Sequence, residues 1–384
     1  MAIIRIWTRD CLLYGPKQIQ TGVHQSAWPS LNSQPKADSL SVGKSYRIEK
    51  VHLLTKVKME NHDAPEDHIK VLAGLENTFI SILDRLHKEL NTSTPPESIY
   101  HYTNDSGLHG IIESGKLRLS NIFSLNDPSE LSHGVSHAEK ILLHETSNGP
   151  PEAKMFAEKF SRFCKNGVSH SAKFFVCSFS RTEKDLGQWR AYADNGRGYA
   201  LEFDANLLAT RFSSQDKGRS EHRNQTFPMT YDDEQISRIH QDLINATVPL
   251  ILRPFEEAYS KALTQQYLTE LSILLSIYTL NTALYFKHEA YEKESEFRFL
   301  ELFEANEPIP DLKWRARSNE LVAYREFVWR GLQPRALKRI VIGPSADSQK
   351  AAQFVRACLR AYHSENHGAV EIDYSTIPYR AVQN

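Results

Sequence analysis

At 384 residues, 40% hydrophobic and 24% charged, the chain is longer than a typical single domain and can bury a core without covalent staples. Its 46 basic and 47 acidic residues leave a formal charge of −1, which excludes a global basic field that would hold nucleic acid non-specifically. The cysteines Cys11, Cys164, Cys177 and Cys358 contain no CxxC pair, so their spacing supports neither a zinc ribbon nor a disulfide framework, and reduced cytosolic thiols are expected.

The opening MAIIRIWTRDC has a short apolar run without a basic start or cleavage signature, so no signal peptide is expected. No stretch approaches the roughly 18 apolar residues of a membrane span. Residues 1–97 read as an N-terminal extension. Residues 3–7 and 46–58 fit strands, and 15–45 is a Gln-, Ser-, Pro- and Gly-rich arm. Ile69, Leu72, Leu75, Phe79, Ile82, Leu83 and Leu86 recur at helical spacing, which predicts an amphipathic helix over about 65–90. Asn91-Thr-Ser-Thr-Pro-Pro96 breaks it.

An α+β domain is expected over 98–384. Ile99 to Tyr102 reads as a strand, followed by a helix over about 105–113 with Gly115 at its C-cap and a short strand over about 116–120. Asp127-Pro-Ser-Glu130 is a capping-box start, and helices are expected over about 128–147 and 151–165. Phe174 to Phe179 is an apolar strand, 185–193 a helix, Asp194-Asn-Gly-Arg-Gly198 a turn and 199–203 a strand. A helical insertion spans about 232–280. Strands over about 296–302 and 321–327 follow, and the chain ends in a strand–helix–strand unit over 339–374.

Glu294-Ser295-Glu296 carries the most pointed chemistry. On a strand, positions i and i+2 share a face, which would set the two glutamates roughly 6–7 Å apart at their Cα atoms with Arg298 next in line. A solvated edge with a Glu–Arg pair fits the same pattern. His101 lies on the first strand of the domain, where a structural histidine is the plain alternative. Ser178-Phe-Ser180 turns both hydroxyls to one face. Arg190, in Gln188-Trp-Arg-Ala-Tyr192, precedes the glycine turn and could clamp a phosphate. His133 and His137 are spaced as helix ligands but lack the zincin glutamate, so they read as a solvated helix face and no metal is expected. Gly196-x-Gly198 follows no dinucleotide pattern, and Ser178 has no nucleophile elbow. Charge is blocked: residues 289–307 hold seven acids against two bases, and residues 313–339 eight bases against two acids. The basic block, with Trp314, Tyr324 and Trp329 interleaved, fits either a nucleic-acid track or internal ion pairing with buried tryptophans.

Ile99-Tyr-His-Tyr-Thr103, Ile111-Ile-Glu-Ser-Gly115-Lys-Leu117, Ser124-Leu-Asn-Asp-Pro128-Ser-Glu130, Cys177-Ser-Phe-Ser180, Gln188-Trp-Arg-Ala-Tyr192, Phe286-Lys-His288, Glu294-Ser-Glu296-Phe-Arg298, Ile342-Gly-Pro344 and Ile377-Pro-Tyr-Arg380 together resemble a prokaryotic domain family of unknown function over roughly residues 98–380. More remotely, the order His101, Ser178/Ser180, Glu296 resembles the ADP-ribosyltransferase superfamily of PARP-like proteins, RNA 2′-phosphotransferases and DarT-like toxins. That resemblance implies a mixed or antiparallel sheet with flanking helices and an NAD-dependent transferase acting as a toxin or phage-defence effector. It implies an RNA, DNA or protein acceptor, a neutralising antitoxin and no membrane partner. It implies Glu296 as the group beside the ribose and Glu294 as its ExE companion. NAD contacts are implied for His101, Tyr102, Thr103, Ser178, Ser180, Arg190 and Tyr192. The same Glu pair would also suit a glycoside or N-glycoside hydrolase, with spacing for an inverting mechanism, and a catalytically inactive binding module fits the residues as well.

Overall fold

The computed structural model describes residues 66–90, 96–125, 130–215, 224–257, 259–304, 308–331, 335–362 and 370–381, all within one compact unit, Pro65–Asn384. The strands and arm expected in residues 3–58, most of the breaker at 91–96 and the cap at Asp127 lie outside them. The elements in chain order are α1 (Glu66–Leu90), β1 (Ser98–Thr103), α2 (Asp105–Ser114), β2 (Lys116–Asn121), α3 (Glu130–Thr146), α4 (Pro151–Ser171), β3 (Ala172–Ser180), α5 (Leu186–Tyr192), β4 (Tyr199–Asp204), α6 (Ala205–Ser214), β5 (Asn224–Pro228), α7 (Asp233–Ile251), the single turn α8 (Arg253–Glu256), α9 (Lys261–Ala283), β6 (Glu296–Glu304), β7 (Lys313–Arg317), β8 (Glu320–Val328), β9 (Leu337–Ile342), α10 (Ser348–Tyr362) and β10 (Glu371–Tyr374).

The fold is α+β, built on a ten-stranded sheet in the order β10-β9-β4-β1-β3-β2-β8-β7. Among the described strands, only β9 and β10 pair in parallel. The sheet branches at β3. One edge of β3 is shared by β1, through Tyr100↔Ser180, and β2, through Ser120↔Val176. Its other edge pairs with β6 from Ala172↔Glu304 to Ser180↔Glu296, and β5 then adds to β6.

Register assigns every strand residue a face, because side chains alternate with a period of two. One face carries Ile99, Cys177, Phe179, Leu201, Phe203, Phe299 and Ile340 and is covered by α2, α6 and α10 through Leu108, Phe212 and Val355. The other face carries Tyr100, Tyr102, Ser178, Ser180, Glu202, Glu296, Arg298 and Arg339. Trp189 of α5 packs edge-on to Tyr102 there, with ring centroids 5.0 Å apart.

Helices α1, α3, α4, α7 and α9 form a separate helical layer. The middle helix, α9, buries residues on all sides, from Leu268 and Leu271 to Ser272, Ser276 and Thr279. This is the pattern of a helix enclosed by neighbours rather than one with a solvent face. Helix α1, assigned to the N-terminal extension by sequence, packs on α7 and α9, so the compact unit begins at Pro65. Local signals set the ends as expected. Asn104 accepts from Gly107 N, and Gly115, at φ 65°, closes α2 by donating its N–H to Ile111 O. Strands β5 and β7 are the two that the hydropathy pattern did not reveal.

Candidate active site

Glu296, the first residue of β6, is buried at the branch of the sheet. Its Oε1 accepts from Ser178 Oγ at 2.6 Å and from Arg298 Nε and Nη2 at 2.9 and 2.7 Å. Its Oε2 accepts from Lys287 Nζ at 3.0 Å, and its backbone N–H donates to the Tyr231 hydroxyl at 2.9 Å. Lys287 Nζ also donates to Glu294 Oε2 at 2.5 Å and sits 4.9 Å from the centroid of the Tyr291 ring. One ammonium therefore bridges both carboxylates.

The surroundings push the two acids in opposite directions. Burial opposes ionisation of Glu296, yet Arg298, Lys287 and the Ser178 hydroxyl outweigh it and hold the carboxyl at about 2. Burial raises Glu294, and Lys287 only partly offsets that. Glu294 keeps 20% of its side-chain surface open, against 5% for Glu296.

The expected strand geometry of the pair needs correction. Residues 289–294 form a 3-10 turn, and Ser295 takes φ 45°, ψ 50°, so β6 begins only at Glu296. The same-face relation holds for Glu296 and Arg298, but Glu294 reaches Lys287 from the turn. With 2.5 and 3.0 Å to one nitrogen, the two Oε2 atoms lie at most about 5.5 Å apart. The nearest oxygens are thus closer than the roughly 6.5–9.5 Å between the carboxyl groups of an inverting glycosidase, which weighs against the inverting reading.

Ser180 joins the cluster through the backbone, donating to Glu294 O at 2.8 Å. His101 does not join it. Tyr100, not His101, shares the face of Ser180, so the imidazole points to the apolar side. There it lies 5.6 Å from the Phe179 ring, and only its Nδ1 approaches the Ser178 carbonyl, at 3.3 Å. Burial lowers its pKa. Tyr102 is buried beneath Trp189 with its hydroxyl donating to Thr182 O at 2.8 Å. Thr103 ends β1 opposite Tyr199. Arg190 and Tyr192 are exposed on α5. Cys177, next to Ser178, faces the core, where burial pushes its thiol up to about 12. Clefts of about 320 Å³, beside Tyr199 and Phe354, and about 450 Å³, beside Lys116 and Arg325, are not lined by the Glu294–Glu296 cluster.

Sequence reasoning missed Lys287 and Tyr231 as site residues. They come from segments joined by the bridge Thr230↔Phe286 and by Lys287 N–H to Thr230 O at 3.0 Å. The only sequence signal was Lys287 inside a block read for its resemblance. The basic block resolves mostly into ion pairs. Arg325 binds Glu301 of the acidic block, Lys313 binds Glu326, and Arg339 binds Glu202, Glu183 and Asp373. Trp329 is buried as internal pairing requires, whereas Trp314 stands 57% exposed on the edge strand β7.

Residues 188–299 match the model of a family described as a protein of unknown function, DUF2971. This supports the expected domain family of unknown function. The matched segment contains Tyr231, Lys287, Glu294, Glu296 and Arg298, the larger part of the cluster, while Ser178 and Ser180 come from β3 outside it. No curated protein and no solved structure matches the chain. No described helix is long and apolar enough to cross a membrane.

Proposed function

We propose that the chain is an NAD-dependent ADP-ribosyltransferase whose proton-handling group is Glu294 and whose fixed anion is Glu296. The observation that carries the reading is one ammonium, Lys287, shared by two carboxylates whose surroundings push them in opposite directions. Such divergence separates a group suited to exchanging protons from one that stays charged. In the transfer, the bond between nicotinamide and ribose C1′ breaks and its electron pair leaves with nicotinamide. The acceptor's nucleophile bonds to C1′ and gives its proton to Glu294. Glu296 holds Ser178, Lys287 and Arg298 in place, and the Ser178 oxygen, whose O–H donates a hydrogen bond to Glu296, keeps lone pairs to accept from a ribose hydroxyl.

In this reading the Glu294–Glu296 cluster would meet the ribosyl end of NAD through the Ser178 hydroxyl and Glu294. His101, assigned by resemblance to the adenosine end, faces the core, so the adenosine end has no assigned residue in this reading. A second reading, an inactive nucleotide-binding module, is favoured by the saturation of Glu296, both of whose oxygens already meet protein donors. Incubating the full chain with NAD and measuring nicotinamide by chromatography separates the two. The transferase reading expects release by wild type and about 10²–10⁴-fold less acceptor modification by Glu294→Gln at unchanged melting temperature. A rise in melting temperature with NAD but no nicotinamide overturns it in favour of the binding module.

A further inference from the structure

Away from the carboxylates, three side chains converge from two helices. His133 and His137 stand one turn apart on α3, so they share a face. That face meets Asp233, the first residue of α7, whose helix is capped by Asp232. Asp233 Oδ1 lies 3.1 Å from His133 Nε2 and 3.9 Å from His137 Nε2. One ligand atom from each residue falls within 4.8 Å of the others. The histidines are not the solvated face their spacing suggested, since they expose only 16% and 18% of their side chains.

We propose that His133, His137 and Asp233 form a binding site for a divalent transition-metal ion, with Zn²⁺ the best match. A tetrahedral zinc with ligands at about 2.0–2.1 Å sets neighbouring ligand atoms about 3.3 Å apart, and the two measured edges bracket that value. A hydrogen bond explains the 3.1 Å approach of His133 but not the 3.9 Å approach of His137 Nε2 to the same oxygen, which is beyond hydrogen-bond reach. The other nitrogen of His137, Nδ1, lies 3.1 Å from Ser237 Oγ. A ligating histidine is held in this way, with its second nitrogen donating to an oxygen so that the first keeps its lone pair for the metal. The His288 ring lies 5.2 Å from that of His133, on the segment that carries Lys287. Asp233 is half exposed, which leaves an entry path and an open coordination position.

The site would do more than staple two helices. Asp233 follows Tyr231 by two residues, and Tyr231 accepts the Glu296 N–H. A metal on α3 and Asp233 fixes the start of α7 and with it one wall of the carboxylate cluster. The inference rests on ligand geometry and holds whether or not the transferase reading does.

Calorimetric titration of Zn²⁺ into the EDTA-treated, dialysed full chain tests it, with thermal melting as a second readout. Wild type should bind one equivalent and melt at a higher temperature with Zn²⁺ than with EDTA. Loss of an outer-shell partner costs roughly 10–100-fold in affinity, so His137→Gln and Asp233→Asn should each lose at least 100-fold. Both variants should melt with EDTA as wild type does, which separates loss of metal from loss of fold. His144→Gln, an exposed histidine on the same helix, should bind like wild type. Wild type that takes up no Zn²⁺, or variants at 137 and 233 that bind it as tightly as wild type, would overturn the proposal.

Discussion

Replacing Lys287 by Met tests the centre of the molecule directly. Methionine keeps the length and apolar bulk of the stem and removes the ammonium that Glu294 and Glu296 share. Breaking a buried pair by removing one partner costs about 3–5 kcal/mol, because a buried charge is left uncompensated. The low end, about 3 kcal/mol, applies here, since Arg298 still holds Glu296 Oε1. For a unit of this size that is on the order of 6 °C in melting temperature. The sign with pH follows from the carboxyls. Lys287 depresses the pKa of Glu296 and opposes the rise of Glu294, so both rise further in the variant. The stability lost is therefore greatest where both carboxyls are ionised and shrinks as pH falls through their raised values. Urea unfolding at pH 7 and pH 4 measures both quantities. A variant as stable as wild type at pH 7, or a loss equal at both pH values, would refute the claim that the ammonium balances two buried charges.

Acid should also act through the buried histidines. Burial lowers His240 to about 3 and His87 to about 4. Because these folded values lie below the ordinary 6.5, the unfolded chain binds the extra protons, and stability present above 6.5 is lost as pH falls toward 4. His240→Gln should flatten that slope in urea midpoints measured across pH 4–7. Gly134 of α3 lies where an added Cβ would come within 2.9 Å of the Ala283 backbone of α9. Gly134→Ala should destabilise by about 1–3 kcal/mol despite the better helix propensity of alanine, and a rise in melting temperature would show that the two helices part freely.

Much of this architecture is legible locally. The apolar spacing of Leu72, Leu75 and Phe79 marks α1, and the cap pair Asn104 and Gly115 bounds α2. Glu296 and Arg298 share a face because β6 is a regular strand from its first residue. What was not legible depends on partners far along the chain. The face of His101 is decided by the pairing Tyr100↔Ser180, which no window around either residue contains. Glu294 was misplaced because Ser295 adopts a left-handed backbone that serine does not announce. The spacing of His133 and His137 was visible, but Asp233 is 100 residues away. Trp314 is exposed because β7 is an outer strand, a property of the assembled sheet rather than of its composition.

The branch at β3 also governs the order in which the chain can assemble. During synthesis β1 and β2 emerge before β3, so that edge finds its neighbours at once. The opposite edge waits for β6, about 116 residues downstream at Ser180↔Glu296. At roughly 5–20 residues per second, that is an interval of about 6–23 s. For that time an apolar strand carrying Phe174, Phe175 and Val176 emerges from the ribosome with open backbone donors and acceptors, the template that invites pairing with another chain. A chaperone that shields this strand while residues 180–296 are made would keep that edge from pairing with another chain.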